Sequence, residues 1–347
     1  MANKHSAYDL VQMQSLPLEA KIIMTQQRIR QWYEHWDGMV YVSFSGGKDS
    51  TVLKHIVDSM YDDVPSVFVN TGLEYPEIQK FAMSQKNVVT LRPKMRFDEV
   101  IKHYGYPVIS KEVSKVISMA KGGQEGRWKR KCLELLNGEA LMPDGSKSMF
   151  NKKKWKFLLD ADFPISNKCC DVMKKKPSAQ YEKETGRKAI LGTQAAESRL
   201  REQAWIRHGC NAFDAGRPTS KPLSFWTEQD IYHYIKKYNV PYCSVYGDIV
   251  VDCGQENGGQ ITTFDILNDY EGAILKTTGC DRTGCIFCMF GCHLEKQPNR
   301  FQRLKQTHPR QYEYCINGGE MVDGKWQPSK EGLGLGKVLD YIGVKYD

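Results

Sequence analysis

The stretch VSFSGGKDSTVLKHIV, residues 42 to 57, confines what this chain can fold into more than any other. The apolar run 39–44 predicts a buried strand, Ser45-Gly46-Gly47 a tight turn, and Val52, Leu53, Ile56, Val57 and Met60 one apolar face of a helix. Two glycines between strand and helix let backbone N–H groups converge on an anion at the helix N-terminus. Lys48 adds a cation, Ser45 and Ser50 add hydroxyls, and Asp49 offers a carboxylate to a Mg²⁺ ion beside the phosphates. A Walker A loop ending at Gly47-Lys48 requires Gly at 42 and Ser or Thr at 49. Val42 and Asp49 stand there instead, so this is a different phosphate cradle.

The rest of the chain extends the pattern. Leu10, Met13, Leu16, Ile22, Ile23 and Ile29 have the spacing of one or two leading helices. Further strands are expected at 66–69, 87–91 and 189–191, alternating with helices, which predicts an α/β fold with a doubly wound, mostly parallel sheet. In such sheets ligands sit beyond the C-terminal strand ends. The polar tips SGGKDS, NTGLE and GTQAAES are therefore expected to converge on one crevice. The expected organisation is N-terminal helices over 1–37, a nucleotide-binding α/β domain over 38–248 with a basic insertion at about 112–180, and a cysteine-containing lobe and tail over 249–347.

The insertion carries GRWKRK, NKKKWK and KCCDVMKKKP, with Trp128, Trp155 and Phe157 among the charges. Lysine with tryptophan suits nucleic acid, although lysine runs are most often solvated faces. The net charge of +8 permits a polyanionic partner without requiring one. No apolar run approaches the roughly 18 residues of a membrane span. The opening MANKHSAYDLVQMQSL lacks a signal core, so a cytoplasmic protein without a membrane partner is expected. Eleven cysteines without an export signal argue for metal or sulfur chemistry rather than disulfides. Cys169 and Cys170 are adjacent, and Cys280, Cys285, Cys288 and Cys292 crowd into thirteen residues, while Cys132, Cys210, Cys243, Cys253 and Cys315 are scattered and read as buried apolar residues.

SGGKDS resembles the PP-loop of the N-type ATP pyrophosphatases, which grip a leaving pyrophosphate. NTGLEYPE is similar to the Asp-Thr-Gly-x-x-x-Pro-Glu stretch of the phosphoadenosine phosphosulfate (PAPS) reductase family, with Asn70 in place of Asp, and ESRLR resembles its Glu-Ser-x-x-Arg element. KPLSFWTEQDIYHYI matches the family's Pro-Leu-x-x-Trp stretch, which gives Trp226 and Asp230 a structural role. The resemblance covers roughly residues 38 to 292 and implies an adenine nucleotide alpha hydrolase-like fold. It puts ATP against Ser43, Ser45, Gly46, Gly47, Lys48, Ser50, Asn70, Thr71, Gly72, Gly192, Thr193, Glu197, Ser198 and Arg201, with Lys48, Asp49 and Ser50 catalytic and Mg²⁺ as companion. Arg199 joins Arg201 as a phosphate candidate.

KCCDVMKKKP and TGCIFC resemble the two cysteine segments of adenylyl-sulfate reductases, which implies that Cys169, Cys170, Cys285 and Cys288 bind one [4Fe–4S] cluster. Cys280 and Cys292 are alternates in a local four-cysteine set, and zinc or metal-free redox thiols are the other readings. Two features depart from those reductases: their Glu-Cys-Gly-Leu-His motif is absent, and the first loop is intact. Both imply an enzyme that consumes ATP, adenylates an acceptor and supports sulfur transfer, similar to the branch that includes DNA phosphorothioation proteins. Nucleic acid and a sulfur-donor protein such as a cysteine desulfurase are the partners this implies, and an oligomer is compatible with it. The alternatives are a sulfonucleotide reductase using Cys315 or Cys292 as nucleophile, and an inactive nucleotide- and DNA-binding regulator.

Overall fold

The computed structural model describes residues 3–122, 125–252 and 273–347; Cys253 and the glycines after it lie outside the described residues. The chain divides into two compact units. The first comprises Met1–Asn70, Glu74–Arg92 and Ser178–Thr283, and the second Thr71–Leu73, Pro93–Pro177 and Gly284–Asp347.

The first unit is built on a six-stranded sheet whose strands run in the order Val88–Leu91, Ser66–Val69, Val40–Phe44, Lys188–Leu191, Thr219–Ser220, Asn211–Ala212. The first five pair in parallel and the last is an antiparallel edge. The mostly parallel sheet expected from the sequence is therefore present. The central strand is buried on both faces, which is why it reads as a near-continuous apolar run. The register sets Ser43 opposite Val67 on one side and Leu191 on the other.

The turn at 45–47 feeds the loop helix Lys48–Asp58, and Val52, Leu53, Ile56 and Val57 are all fully buried, as their spacing predicted. Two leading helices form at Ala7–Gln14 and Leu18–His35, with Leu10, Ile22 and Ile29 in the core. Ile23 is a correction: it is 56% exposed, because only one side of Leu18–His35 faces the core and Ile22 and Ile29 define it. The short edge strands 211–212 and 219–220 gave no periodic signal, being two residues each.

Trp226 and Asp230 hold the fold together, as expected. Trp226 is fully buried and its indole N–H donates to Thr25 Oγ1 at 2.8 Å. Asp230 closes a capping box with Thr227 at the start of helix Glu228–Tyr238, and both its oxygens accept from Lys21 Nζ at 2.7 and 2.8 Å. That pair joins residues 209 positions apart.

In the second unit the segment around Tyr106 organises the cysteines. Tyr106 bridges Ile165 in parallel, and Val108–Ile109 pairs in parallel with Met289–Phe290. One short extended segment therefore has the chain leading to Cys169 and Cys170 on one side and the chain carrying Cys288 on the other. Gly105 makes this approach feasible: a Cβ there would lie 2.5 Å from the Pro164 carbonyl. Helices Lys111–Lys121 and Arg127–Asn137, with the 3₁₀ segment Lys153–Asp160, carry the basic insertion. No helix of the described residues is long and apolar enough to cross a membrane.

Removing one partner of a buried pair strands the other charge, so Asp230→Ala is expected to destabilise the protein by about 3–5 kcal/mol in denaturant unfolding. Glu19→Ala, which removes an exposed partner of Lys237, is expected to cost about 1 kcal/mol or less. Equal effects would contradict the role given to Asp230.

Candidate active site

The turn that follows Val40–Phe44 is held by its own hydroxyls. Ser50 Oγ accepts from Ser45 N–H at 3.2 Å, lies 3.0 Å from Ser45 Oγ and donates to the Gly47 carbonyl at 2.9 Å. Ser45 Oγ in turn accepts from Gly47 N–H at 3.3 Å. Gly46 has φ +73°, and a Cβ there would sit 3.0 Å from Ile78 Cγ2 and 3.2 Å from the Ile78 carbonyl oxygen. Only glycine meets both demands. Beyond the turn, the first N–H groups of the loop helix are those a helix leaves without internal partners.

Lys48 is buried and surrounded. Its Nζ donates to the Asp281 carbonyl at 2.7 Å, pairs with Glu228 Oε1 at 2.8 Å and stands 5.5 Å from the ring centroids of both Tyr232 and Tyr246. Its backbone N–H donates to Tyr246 Oη at 3.2 Å, and that hydroxyl lies 2.6 Å from Thr283 Oγ1. Burial pushes the Tyr246 phenol up to about 12, so it stays protonated at neutral pH. Burial also opposes ionisation of Glu228, but the hydrogen bond and charge of Lys48 outweigh it and hold that carboxyl below its ordinary value.

Asp49 Oδ1 accepts from Gln194 Nε2 at 2.9 Å. Burial raises its carboxyl above the ordinary value, against the pull of Lys48 and Arg282. Gly192 brings the loop after Lys188–Leu191 against the helix start, since a Cβ there would be 3.0 Å from the Asp49 carbonyl oxygen. Thr193 is half-buried between Gly192 and Gln194. Glu197 pairs with Arg201 and with Arg282 Nη2 at 2.7 Å, and Ser198 caps helix Arg199–His208. Burial lowers the pKa of Arg201, while Arg199 is exposed.

The tips SGGKDS and GTQAAES thus meet within the first unit. Asn70, buried, ends the strand Ser66–Val69 there, its N–H donating to the Leu91 carbonyl at 2.9 Å. Thr71 and Gly72 fall in the second unit, where Thr71 Oγ1 accepts from Leu73 N–H at 3.2 Å and Gly72 has φ +73°.

In the second unit four thiols influence one another. Cys169 hydrogen-bonds to Cys170, which raises Cys169 well above a free thiol, and burial, Cys170, Cys285 and Cys288 add to the rise. The same bond, then Lys111 and Lys174, draws Cys170 down to about 6. Burial raises Cys288, with Arg300 opposing it, and Arg300 Nη1 donates to the Cys288 carbonyl at 2.9 Å. Among the described residues no three His, Cys, Asp or Glu side chains stand together as a group that could hold a metal ion. Cys280 belongs to the first unit, close to Cys243, whereas Cys292 is buried in the second, donates to the Met289 carbonyl at 3.0 Å and is pushed by burial up to about 12. Cys315 is fully buried and its thiol is driven well above the ordinary value, so neither Cys292 nor Cys315 offers a thiolate nucleophile.

The phosphoadenosine phosphosulfate reductase domain matches residues 39–117 and 137–289 of this chain. The chain belongs to that family. A curated relative, the uncharacterized protein MJ0973 of Methanocaldococcus jannaschii, is 36% identical over 87 residues, 23% of this chain and 21% of its own. The match spans about a fifth of that relative's length. Among solved structures, phosphoadenylyl-sulfate reductase of Candida auris in a phosphate complex aligns at 16% identity and TM-score 0.35, covering 70% of this chain and 92% of its own. FMN adenylyltransferase of Candida glabrata in complex with ATP aligns at 12% identity and TM-score 0.37, covering 69% and 65%.

For a member of the PAPS reductase family, the motifs located the loop but not the groups that grip Lys48. Glu228 lies inside the KPLSFWTEQDIYHYI motif without a role there, Asp281 and Thr283 lie in the cysteine-rich stretch, where only the thiols carry a signal, and Tyr246 comes from a stretch with no signal. Gln194 follows Gly192-Thr193 and was legible only as a polar tip. A carboxyl raised by folding contributes stability below its unfolded pKa and loses it as pH rises through the folded one. Asp49→Asn is therefore expected to raise the unfolding midpoint at about pH 8, with the gain shrinking toward about pH 4. A gain independent of pH, or a loss at pH 8, would contradict the buried-carboxylate assignment.

Proposed function

We propose that this PAPS reductase-family protein binds ATP, releases pyrophosphate into the Ser45–Ser50 turn and transfers the adenylyl group to an acceptor. The observation that carries the reading is the turn itself: the SGGKDS sequence is intact, its hydroxyls are bonded into one network, and its lysine is buried beside it. A loop kept in this form is suited to a leaving pyrophosphate, since the N–H groups and helix dipole favour an anion before any side chain is counted.

In the proposed reaction an acceptor oxygen attacks the α-phosphorus, the bond from that phosphorus to the bridging oxygen breaks, and pyrophosphate departs. Lys48 neutralises the leaving charge once it exchanges Glu228 and the Asp281 carbonyl for phosphate oxygens. Ser45 and Ser50 donate to the same oxygens, and Tyr246, protonated, orients the Lys48 backbone. Arg201, exposed and paired with Glu197, adds positive charge on the helix that follows the Gly192 loop. Positioning and charge neutralisation then carry most of the rate. Asp49, oriented by Gln194, would hold Mg²⁺, which supplies charge neutralisation across the phosphates when bound.

Among the described residues the side chains form no metal-holding group, so the cluster reading rests on donor chemistry: Cys169 feels Cys170, Cys285 and Cys288, with Lys111, Lys174 and Arg300 around these thiols. Cys169, Cys170, Cys285 and Cys288 would hold a [4Fe–4S] cluster, which supplies electron or sulfur chemistry when bound. A sulfur-donor protein completes the proposed sulfur transfer. The buried state of Cys292 and Cys315 gives the sulfonucleotide reductase alternative no support from those two thiols.

Two measurements test this reading. Anaerobically purified protein incubated with [α-³²P]ATP and Mg²⁺ is expected to yield AMP and not ADP, with Lys48→Ala or Ser50→Ala lowering the rate about 10²-fold or more. ADP as the product, or full activity in both variants, would overturn it. Iron and acid-labile sulfide are expected in the wild-type protein and lost in Cys285→Ser; protein free of both metals and sulfide would remove the cluster while leaving the loop chemistry to its own test.

A further inference from the structure

The two units differ in charge. Residues of the first carry 21 Lys and Arg against 24 Asp and Glu, and those of the second 28 against 17. The excess of +8 over the chain is thus more than supplied by the second unit. Evenly solvated lysines would not produce this division, and a polyanionic partner on one unit would.

Within that unit the charge gathers around an exposed aromatic. Helix Arg127–Asn137 buries Cys132 and Leu136, so its apolar face is already turned inward. The outward arc presents Arg127, Trp128, Arg130 and Lys131, all exposed, and Trp128 is 66% exposed. An indole turned to solvent contributes little to folding, whereas its face is free for stacking. Lys131 Nζ lies 5.8 Å from its centroid. Among the described residues Arg127 and Arg130 make no side-chain ion pair or hydrogen bond, in contrast to Lys129, which is paired with Glu125. The 3₁₀ segment Lys153–Asp160 abuts the end of this helix: Lys152 N–H donates to the Leu135 carbonyl at 2.7 Å, and a Cβ on Gly138 would touch the Lys153 side chain at 3.4 Å. There Lys153 and Lys154 are exposed, and Lys154 Nζ stands 5.0 Å over the ring of Trp155. The two lysine-rich stretches of the insertion therefore adjoin at the end of this helix, each with a cation over an indole ring.

We propose that this surface binds single-stranded nucleic acid, the arginines and lysines taking the phosphates and Trp128 stacking on an unpaired base. Stacking on an exposed ring needs bases that are not already stacked in a duplex, which favours the single strand. A lipid surface would be met by an unsatisfied apolar helix face, and this helix has buried its own. The proposal deepens the adenylation reading by naming the acceptor's class, yet its readout is binding and does not need turnover.

The test is fluorescence anisotropy of a labelled 20-nucleotide mixed-sequence DNA strand with the full chain across a salt series. Saturable binding weaker for the blunt duplex is expected. Arg127→Glu with Arg130→Glu should lower affinity tenfold or more and flatten the logarithmic salt slope by about 1.4. Trp128→Ala should lower affinity about 5- to 150-fold with the slope nearly unchanged. ATP turnover by the surface variants without nucleic acid should match wild type, which separates failure of this surface from failure of the nucleotide site. No saturable binding at low salt, wild-type binding by both surface variants, or capture by phosphatidylglycerol vesicles with the same dependence on Trp128 would each overturn the proposal.

Discussion

The proposed nucleotide site rests on a backbone reversal that only glycine allows. At Gly46 the chain turns from a buried strand into a buried helix with φ +73°, in a space closed by the Ile78 side chain and carbonyl. A left-handed residue with a Cβ would face roughly 1–2 kcal/mol of intrinsic strain before the steric conflict is counted. Because the reversal is so tight, the Ser45 and Ser50 hydroxyls come within 3.0 Å of each other at the start of the loop helix. Gly192, beyond the neighbouring strand, shares only the close approach, letting the loop that carries Gln194 reach Asp49. Sheet order does the rest, since Val40–Phe44 and Lys188–Leu191 are adjacent and parallel and so end on the same side.

Burying a lysine and an aspartate in consecutive positions has an energetic consequence that bears on function. Lys48 is satisfied by Glu228, the Asp281 carbonyl and two rings, whereas Asp49 has an amide donor and pays for burial with a raised carboxyl. Such tension is expected where a site is shaped for a charged ligand rather than for stability alone. The contrast with Lys21 and Asp230 is instructive, because that buried pair is bidentate, lies within a capping box and serves the fold.

The sheet was legible in the sequence because each central strand is buried on both faces and each is followed by a polar tip. The loop helix was legible for the same reason: Val52, Leu53, Ile56 and Val57 reach the core, while Met60, read as a fifth position of that face, falls beyond the helix end at Asp58 and is half-buried. Ile23 misled because apolar residues adjacent in a helix cannot share one face as residues three or four apart do. The partners of Lys48 were not legible, since Tyr246 and the Asp281 carbonyl reach it from distant segments without periodicity, and Thr283 acts only through Tyr246. The cysteine pairs could be assigned only by resemblance; what brings them near each other is the short pairing of Val108–Ile109 with Met289–Phe290, two residues long and invisible to any pattern. The charge division between units also escaped a reading of the whole chain, where it averages to a modest excess.

The central claim is attack at the α-phosphorus with pyrophosphate leaving into the glycine turn. Turnover of ATP in H₂¹⁸O without added acceptor, followed by mass spectrometry of both products, tests it most directly. The account predicts AMP carrying one ¹⁸O and unlabelled pyrophosphate. Label in pyrophosphate, or labelled phosphate accompanied by ADP, would contradict it.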